Sequence, residues 1–255
     1  MFSINMSLNN KTIAITGAAS GIGRATAVYL ASRGASLAIS DVQTEALKAI
    51  AEELKTSNSG IRVEATVVDV SKPEQVRDWI QNTKKTFGRL DGAANIAGTA
   101  ASSQVPLEAQ SDQEWEFLLG INLSGTMFCL REELKHIGDG GSIVNASSVL
   151  GLRSFPGHGG SAYVTSKHAV LGLTRNAARE YGNRQVRVNC INPGGIDTPM
   201  MQPKPGGADP MGGMLPPIPR TGKPEEVAAL VGFLLGDEST YVTGTSIVID
   251  GGLTC

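Results

Sequence analysis

The sequence predicts a doubly wound α/β fold, a parallel sheet of about seven strands with helices on both faces. Three observations carry that expectation. Short β-rich runs alternate with longer stretches of helical periodicity along the chain. The runs are nearly continuous in apolar residues, as strands buried on both faces are. Glycine is abundant at 31 of 255 residues, about 12% against an average near 7%, and it follows no repeat. These glycines punctuate the apolar runs and read as tight strand-to-helix turns.

Taken in order, the first strand reads at 11–16 (KTIAIT) and runs through a glycine-rich turn into a helix at 22–33. The second strand, 35–40 (ASLAIS), precedes a helix at 43–57, and the third, 62–68 (RVEATVV), precedes one at 72–87. A fourth strand at 92–95 leads to a long helix at 112–137, whose Trp115, Leu118, Leu119, Leu123, Thr126, Leu130 and Leu134 form one stripe. The fifth strand, 142–147 (SIVNAS), precedes a helix at 161–181. The sixth, 186–192 (VRVNCIN), is followed by a helix at 224–236 and a last strand at 246–250 (SIVID). No linker-like composition divides the chain, which reads as one domain over 1–255. Only 200–219, with six prolines and four glycines, interrupts the pattern. A flexible linker is one reading; its methionines, and the helix and strand that follow it, favour a substrate-binding loop or lid.

Composition narrows the function. Hydrophobic residues make up 41% and charged residues 18%, enough for a packed core. Twenty-two Lys and Arg against 24 Asp and Glu leave a net charge of −2 with no basic stripe, which argues against nucleic acid as a partner. Cys129, Cys190 and Cys255 form no metal-ligand spacing or disulfide framework, so a reducing, cytoplasmic setting without a structural metal is expected. Neither a secretory signal nor an apolar run long enough to span a bilayer is read in the chain.

The turn at 16–23 (TGAASGIG) is the first chemical site. Gly17 permits the sharp turn, Gly21 lets backbone approach a phosphate, and Gly23 allows close helix–strand packing. A helix N-terminus at Ser20–Gly23 then offers N–H donors to a pyrophosphate. A tight turn with no ligand is the plainer alternative. Asp41, 24 residues after Gly17, can accept from adenosine ribose hydroxyls and repel a 2′-phosphate, although it could equally cap a helix. Ser20 and Val42 place no cation beside it, so NAD rather than NADP is the expected cofactor.

With these motifs the sequence resembles the short-chain dehydrogenase/reductase family of Rossmann-fold oxidoreductases over about residues 8–252. Gly17, Ser20, Gly21, Ile22 and Gly23 lie in its dinucleotide signature, and Asp69-Val70 resembles its adenine-contacting pair. Asn95-Ile96-Ala97-Gly98 resembles its Asn-Asn-Ala-Gly element, with isoleucine in place of the second asparagine. Pro193, Gly194, Ile196 and Thr198 resemble its nicotinamide-side motif. Asn122, Ser148, Tyr163 and Lys167 fall where its catalytic tetrad falls. The resemblance implies that Asn122 holds its helix open around a water linking Lys167 to solvent. It also implies a homotetramer, or a homodimer, packed through the 112–137 and 161–181 helices and the last strand.

The residues support parts of this independently. Tyr163 and Lys167 are four apart on one helix face, and a nearby ammonium favours the phenolate of a tyrosine, whose ordinary pKa is about 10. Asn122 sits within an apolar stripe, where an amide must be hydrogen-bonded; a core asparagine bridging backbone groups is the plainer reading. Ser147 and Ser148 point opposite ways at a strand end, and Ser148 is chosen by the Val-Leu-Gly that follows it. Ser148 and Tyr163 stand 15 apart where the family usually has 13, placing two extra residues in 155–161 (FPGHGGS). Leu150, Phe155 and Met200 are candidate substrate contacts, with Ser148 on the substrate oxygen. His158 is a further candidate, against the alternative of a solvated loop histidine. The expected reaction moves a hydride between NAD(H) and an alcohol or its ketone, on a hydrophobic or cyclic secondary alcohol. A dinucleotide-binding sensor without turnover, and an isomerase or dehydratase using NAD transiently, remain open.

Overall fold

Residues 8–101, 105–155, 160–202 and 215–255 are described by a computed structural model. Side-chain size alternates along the first two strands and gives the sheet two different faces. In Thr12–Thr16 (β1), Ile13 and Ile15 pack to one side and Ala14 to the other; in Ser36–Asp41 (β2), Leu37 and Ile39 oppose Ala38. Gly21–Ser32 (α1), Thr44–Ser57 (α2) and Pro224–Leu235 (α7) cover the isoleucine side through Leu30, Ile50, Leu54 and Val231. Pro73–Phe87 (α3), Thr126–His136 (α5) and Gly160–Tyr181 (α6) cover the alanine side through Trp79, Ile80, Leu130, Leu134 and Ala178. Each fully buried leucine or isoleucine contributes about 1.5–3 kcal/mol, so these two layers dominate the stability.

Val63–Val67 (β3), Gly92–Asn95 (β4), Ser142–Ala146 (β5), Arg187–Pro193 (β6) and Ser246–Ile249 (β7) complete the sheet. The strand order is β3-β2-β1-β4-β5-β6-β7, and every neighbouring pair is parallel. This is the expected doubly wound, Rossmann-like architecture. The chain winds outward from β1 to β3, then returns to place β4 on the other side of β1. The strand order therefore reverses between β1 and β4, where a crevice opens at the carboxyl ends. Registry sets the floor of that crevice, pairing Thr16 with Asn95 and Asn95 with Asn145.

Two expectations are corrected. Burial on both faces holds for β1, β2, β4, β5 and β6, but β3 exposes residues 64–67 and β7 is only partly covered, because each lies at a sheet edge. The stretch 112–137 is not one α-helix: Asp112–Leu119 (α4) and α5 are separated by a π-helical turn, Gly120–Gly125. At the far side of the sheet, the buried Arg187 guanidinium donates to the carbonyls of Leu234 and Gly236 at 2.7 and 2.9 Å. It thereby satisfies carbonyls at the end of α7 and fastens that helix to β6. Among the described residues no helix is long and apolar enough to cross a membrane.

Candidate active site

The glycine-rich turn leaves β1 at Thr16 and enters α1 at Gly21. Gly17 has φ +69°, and a Cβ there would come within 2.9 Å of the Ala97 backbone; only glycine combines that dihedral with that approach. A Cβ on Gly23 would run into the Gly17 carbonyl oxygen, so the first turn of α1 lies directly against the loop that precedes it. Gly21 faces the Thr198 side chain, 3.1 Å from where its Cβ would be. Ser20, the N-cap residue of α1, makes no side-chain capping bond, and the first turn carries no acidic residue. Its N–H groups and positive end are therefore left for an outside anion. Ile22 packs on the isoleucine-side core. These features fit a dinucleotide's pyrophosphate.

The turn hangs from β2. Ala18 N–H donates to the Ser40 carbonyl at 3.0 Å, and Ala19 N–H to Asp41 Oδ2 at 3.0 Å. Asp41 Oδ1 accepts from the Gln43 N–H at 3.0 Å, and Gln43 rather than Asp41 is the N-cap residue of α2. The carboxylate is thus fixed beside the turn with lone pairs remaining on both oxygens. Val42 next to it is 60% exposed, and Arg24 is engaged with Glu53 at 2.6 Å. After β3, Asp69 Oδ1 accepts from the Ser71 N–H and hydroxyl at 2.9 and 2.7 Å. Val70 is buried against Gly125, where a Cβ would meet its Cγ2 at 2.9 Å.

Asn95 turns its side-chain amide away from the carboxyl edge. Its Nδ2 donates inward to Glu133 Oε2 at 2.9 Å and to Asn145 Oδ1 at 3.0 Å, so its amide ties β4 to α5 and β5. A residue that the sequence did not single out holds the loop that follows. Thr16 Oγ1 accepts from the N–H groups of Ile96 and Ala97 at 3.1 and 3.0 Å, stitching the end of β1 to the loop after β4. The only sequence signal was a hydroxyl residue immediately before Gly17. Gly98 follows, and a Cβ there would lie 3.2 Å from Asn122 Oδ1 and 3.4 Å from Lys167 Nζ.

The four tetrad positions converge behind Gly98. Asn122, fully buried in the π turn, accepts from the Thr99 N–H at 2.8 Å and donates to the Thr99 carbonyl at 2.9 Å. It bridges backbone groups, as the plainer reading expected, and it also donates to Ser166 Oγ at 3.4 Å. The Thr126 hydroxyl takes the Asn122 carbonyl at 2.9 Å. Ser147 and Ser148 do point apart. Ser147 Oγ donates to the Lys167 carbonyl at 2.7 Å, whereas Ser148 Oγ accepts from the Leu150 N–H at 3.1 Å. Lys167 is buried, its Nζ donating to the Ala146 carbonyl at 2.9 Å and lying 5.7 Å from the centre of the Tyr163 ring. Burial lowers its pKa from 10.5 to about 8.

Tyr163 differs from expectation in the chain by itself. Burial raises its pKa, and the neighbouring Ser148 hydroxyl offsets only part of that. The physical reason lies in the placement of Lys167, whose ammonium is held on the Ala146 carbonyl rather than on the phenol.

On the remaining side, β6 ends at Pro193 and Gly194 packs against Asp250, whose Cα would lie 2.9 Å from a Cβ there. Ile196 is buried and bridges to Gly222, and Thr198 closes on Gly21. Of the candidate substrate residues, Leu150 and Phe155 are partly buried and Met200 is 50% exposed. His158 and residues 203–214 of the proposed lid lie outside the described residues.

Comparison with known proteins agrees with this geometry. A family model described as Enoyl-(Acyl carrier protein) reductase matches residues 17–254. The chain is 47% identical to "Short-chain dehydrogenase/reductase aba4" of Botryotinia fuckeliana (strain B05.10), over 96% of this chain and 97% of that protein. It is 40% identical to the levodione reductase of Leifsonia aquatica, over 95% and 94%. It is 38% identical to a 2,5-dichloro-2,5-cyclohexadiene-1,4-diol dehydrogenase of Sphingobium indicum, over 97% and 98%. A dehydrogenase/reductase structure from Sinorhizobium meliloti superposes with a TM-score of 0.91 at 33% identity, covering 98% of each chain. A Burkholderia cenocepacia short-chain dehydrogenase solved with NADP superposes with a TM-score of 0.89 at 32% identity, covering 97% and 99%.

The packing at the turn makes a direct prediction. Gly23→Ala forces the first turn of α1 away from Gly17, so NADH affinity measured by fluorescence titration falls by at least about tenfold, a loss of about 1.4 kcal/mol. Unchanged affinity would show that the turn does not hold the dinucleotide.

Proposed function

The chain belongs to the short-chain dehydrogenase/reductase family, and on that premise we propose that it transfers a hydride between NAD(H) and a ring-borne secondary alcohol or its ketone. The observation that carries the reading is the buried Lys167 ammonium, 5.7 Å from the centre of the Tyr163 ring, with Gly98 linking that cluster to the glycine turn. When bound, the nicotinamide supplies the hydride acceptor or donor. Gly17, Ser20, Gly21, Ile22 and Gly23 hold the pyrophosphate, while Asp41, Asp69 and Val70 border the adenosine. Ala97, Gly98, Pro193, Gly194, Ile196 and Thr198 flank the nicotinamide end.

Tyr163 takes the substrate hydroxyl proton in oxidation and returns it to the carbonyl oxygen in reduction. Ser148 donates to that same oxygen and stabilises the charge developing on it. Lys167 keeps a positive charge behind Tyr163 and binds the nicotinamide ribose; it also offers the proton a route inward. Asn122 positions the Thr99 loop and the open helical turn beside Lys167. A bare dinucleotide-binding sensor has no use for this proton-handling cluster, which favours turnover.

NAD over NADP rests on Asp41, whose buried carboxylate lies beside the turn without a free cation at Ser20 or Val42. Leu150, Phe155 and Met200 would give the pocket an apolar rim, with residues 200–219 closing over it as a lid within a single domain. The six-membered ring named for one relative, a cyclohexadiene diol, suits such a rim. Exposed Phe117 on α4 and Val248 on β7 supply apolar area for a homotetramer.

In a panel of cyclic ketones and diols followed by NADH absorbance, the wild type should turn over ring substrates in preference to open-chain sugars. Tyr163→Phe should keep its NADH affinity and lose at least about 10²-fold in kcat; retained turnover would remove Tyr163 from the chemistry. In a fluorescence titration NADH should bind at least about tenfold more tightly than NADPH, and Asp41→Ser should narrow that gap. Equal affinities in the wild type would overturn the cofactor assignment.

A further inference from the structure

Beneath the crevice lies a buried polar chain with no part in the proton handling described above. Asn95, the last residue of β4, donates to Glu133 on α5 and Asn145 on β5, and Asn145 donates to Thr174 on α6 at 3.0 Å. All four side chains are buried, Glu133 completely. Two oxygens at one end of the chain have no hydrogen-bond partner, Glu133 Oε1 and Asn95 Oδ1. They are the second oxygen of the carboxyl and the carbonyl oxygen of the amide that already meet through Asn95 Nδ2 and Glu133 Oε2. With Glu133 ionised both are acceptors, and neither can satisfy the other. One added proton removes both deficits.

We infer that Glu133 is held as the neutral acid and donates its proton to Asn95 Oδ1. This closes a two-point acid–amide pair that fixes Asn95 and, through it, the 96–99 loop. The charge environment agrees. The cations on its own helix, Arg131 and Lys135, are bound to Glu132 at 3.1 and 2.9 Å. Across from it, Glu74, Arg77, Asp78, Lys84 and Lys85 of α3 and Arg175 and Arg179 of α6 lie at the surface or its rim. β4, β5 and the π turn present no ionisable side chain, and one turn away burial pushes the Cys129 thiol up. Burial pushes the Glu133 carboxyl up from 4.5 to about 8.

The consequence for the site runs through peptide groups. Asn95 leads directly to Ile96 and Ala97, whose N–H groups bind Thr16, and Ala97 is what Gly17 packs against. Glu133 is therefore a positioning residue. The acid–amide pair stands on the buried groups alone; its effect on dinucleotide affinity rests on the function proposed above.

A folded-state pKa above the unfolded value gives stability that is complete at low pH and is lost as pH rises through the folded value. For Glu133 that window runs from about 4.5 to about 8. Glutamine has the same shape and a permanent N–H donor for Asn95 Oδ1, so Glu133→Gln keeps the pair at every pH. Lys167 titrates nearby with the opposite sign, but it does so equally in both proteins, and their difference isolates Glu133.

Thermal melts of the full chain without cofactor, from about pH 5 to about pH 9, should show Glu133→Gln gaining on the wild type progressively as pH rises. Infrared spectra near neutral pH should show a protonated-carboxyl band in the wild type that Glu133→Gln lacks. NADH affinity should be kept in Glu133→Gln and fall about tenfold in Glu133→Leu. A pH-independent gap, or a Glu133→Gln protein destabilised throughout, would overturn the pair, and this variant alone decides that point should Glu133→Leu fail to fold. A pH-dependent gap with unaltered NADH affinity in Glu133→Leu would retain the pair and overturn its hold on the loop. Absence of NADH binding by the wild type would strike the proposed function and leave the pair standing.

Discussion

The candidate site depends on how closely the turn after β1 approaches the loop after β4. Those two strands are neighbours only because the chain reverses its winding there, and both must turn away at the same level of the sheet. Gly17 permits the contact by having no side chain, and the Thr16 hydroxyl holds it by accepting two N–H groups from the opposing loop. Each such hydrogen bond contributes about 1 kcal/mol net, yet leaving those partly buried N–H groups unpaired costs more. The approach therefore has one satisfied geometry. Gly98, two residues beyond Ile96, is carried by it into contact with Asn122 and Lys167. The turn suited to a pyrophosphate and the cluster suited to a proton are thus set at a fixed separation by backbone packing.

Polar groups buried beneath that contact do the aligning. Asn122 opens no route of its own choosing; its amide is shaped to the two peptide groups of Thr99, and the helix yields a π turn to deliver it there. Asn95, Asn145 and Thr174 form a second line across the sheet, from α5 to α6. Inside a low-dielectric core such groups are stable only when paired, so each constrains the backbone that carries it. The loops at the carboxyl edge inherit rigidity from below.

Much of this was legible in the chain. Alternation located each strand to within about a residue or two, and strand ends fixed which side of the sheet gathers Gly17, Asp41, Asn95, Ser148 and Pro193. The two-residue period of a strand separated Ser147 from Ser148, the Val-Leu-Gly that follows chose Ser148, and the structure shows the two hydroxyls on different partners. The π turn was not legible, because the apolar stripe of 112–137 continues through it and its cause is a hydrogen bond to Thr99, 23 residues away. Nor was the inward turn of Asn95, whose partner Glu133 lies on a helix that sequence pattern alone would place with its charges outward. The raised pKa of Tyr163 was hidden for the same reason, since spacing placed Lys167 one turn away but could not show that its ammonium rests on the Ala146 carbonyl.

Hydride transfer is the claim to which these features lead, and isotope tracing tests it most directly. The protein would be given a cyclic diketone with NADH deuterated at the transferable position of the nicotinamide ring, and the product examined by NMR and mass spectrometry. The proposed chemistry predicts deuterium on the new carbinol carbon and none elsewhere in the product. A product carrying no label, or an isomerised ring with the label still on the dinucleotide, would contradict it.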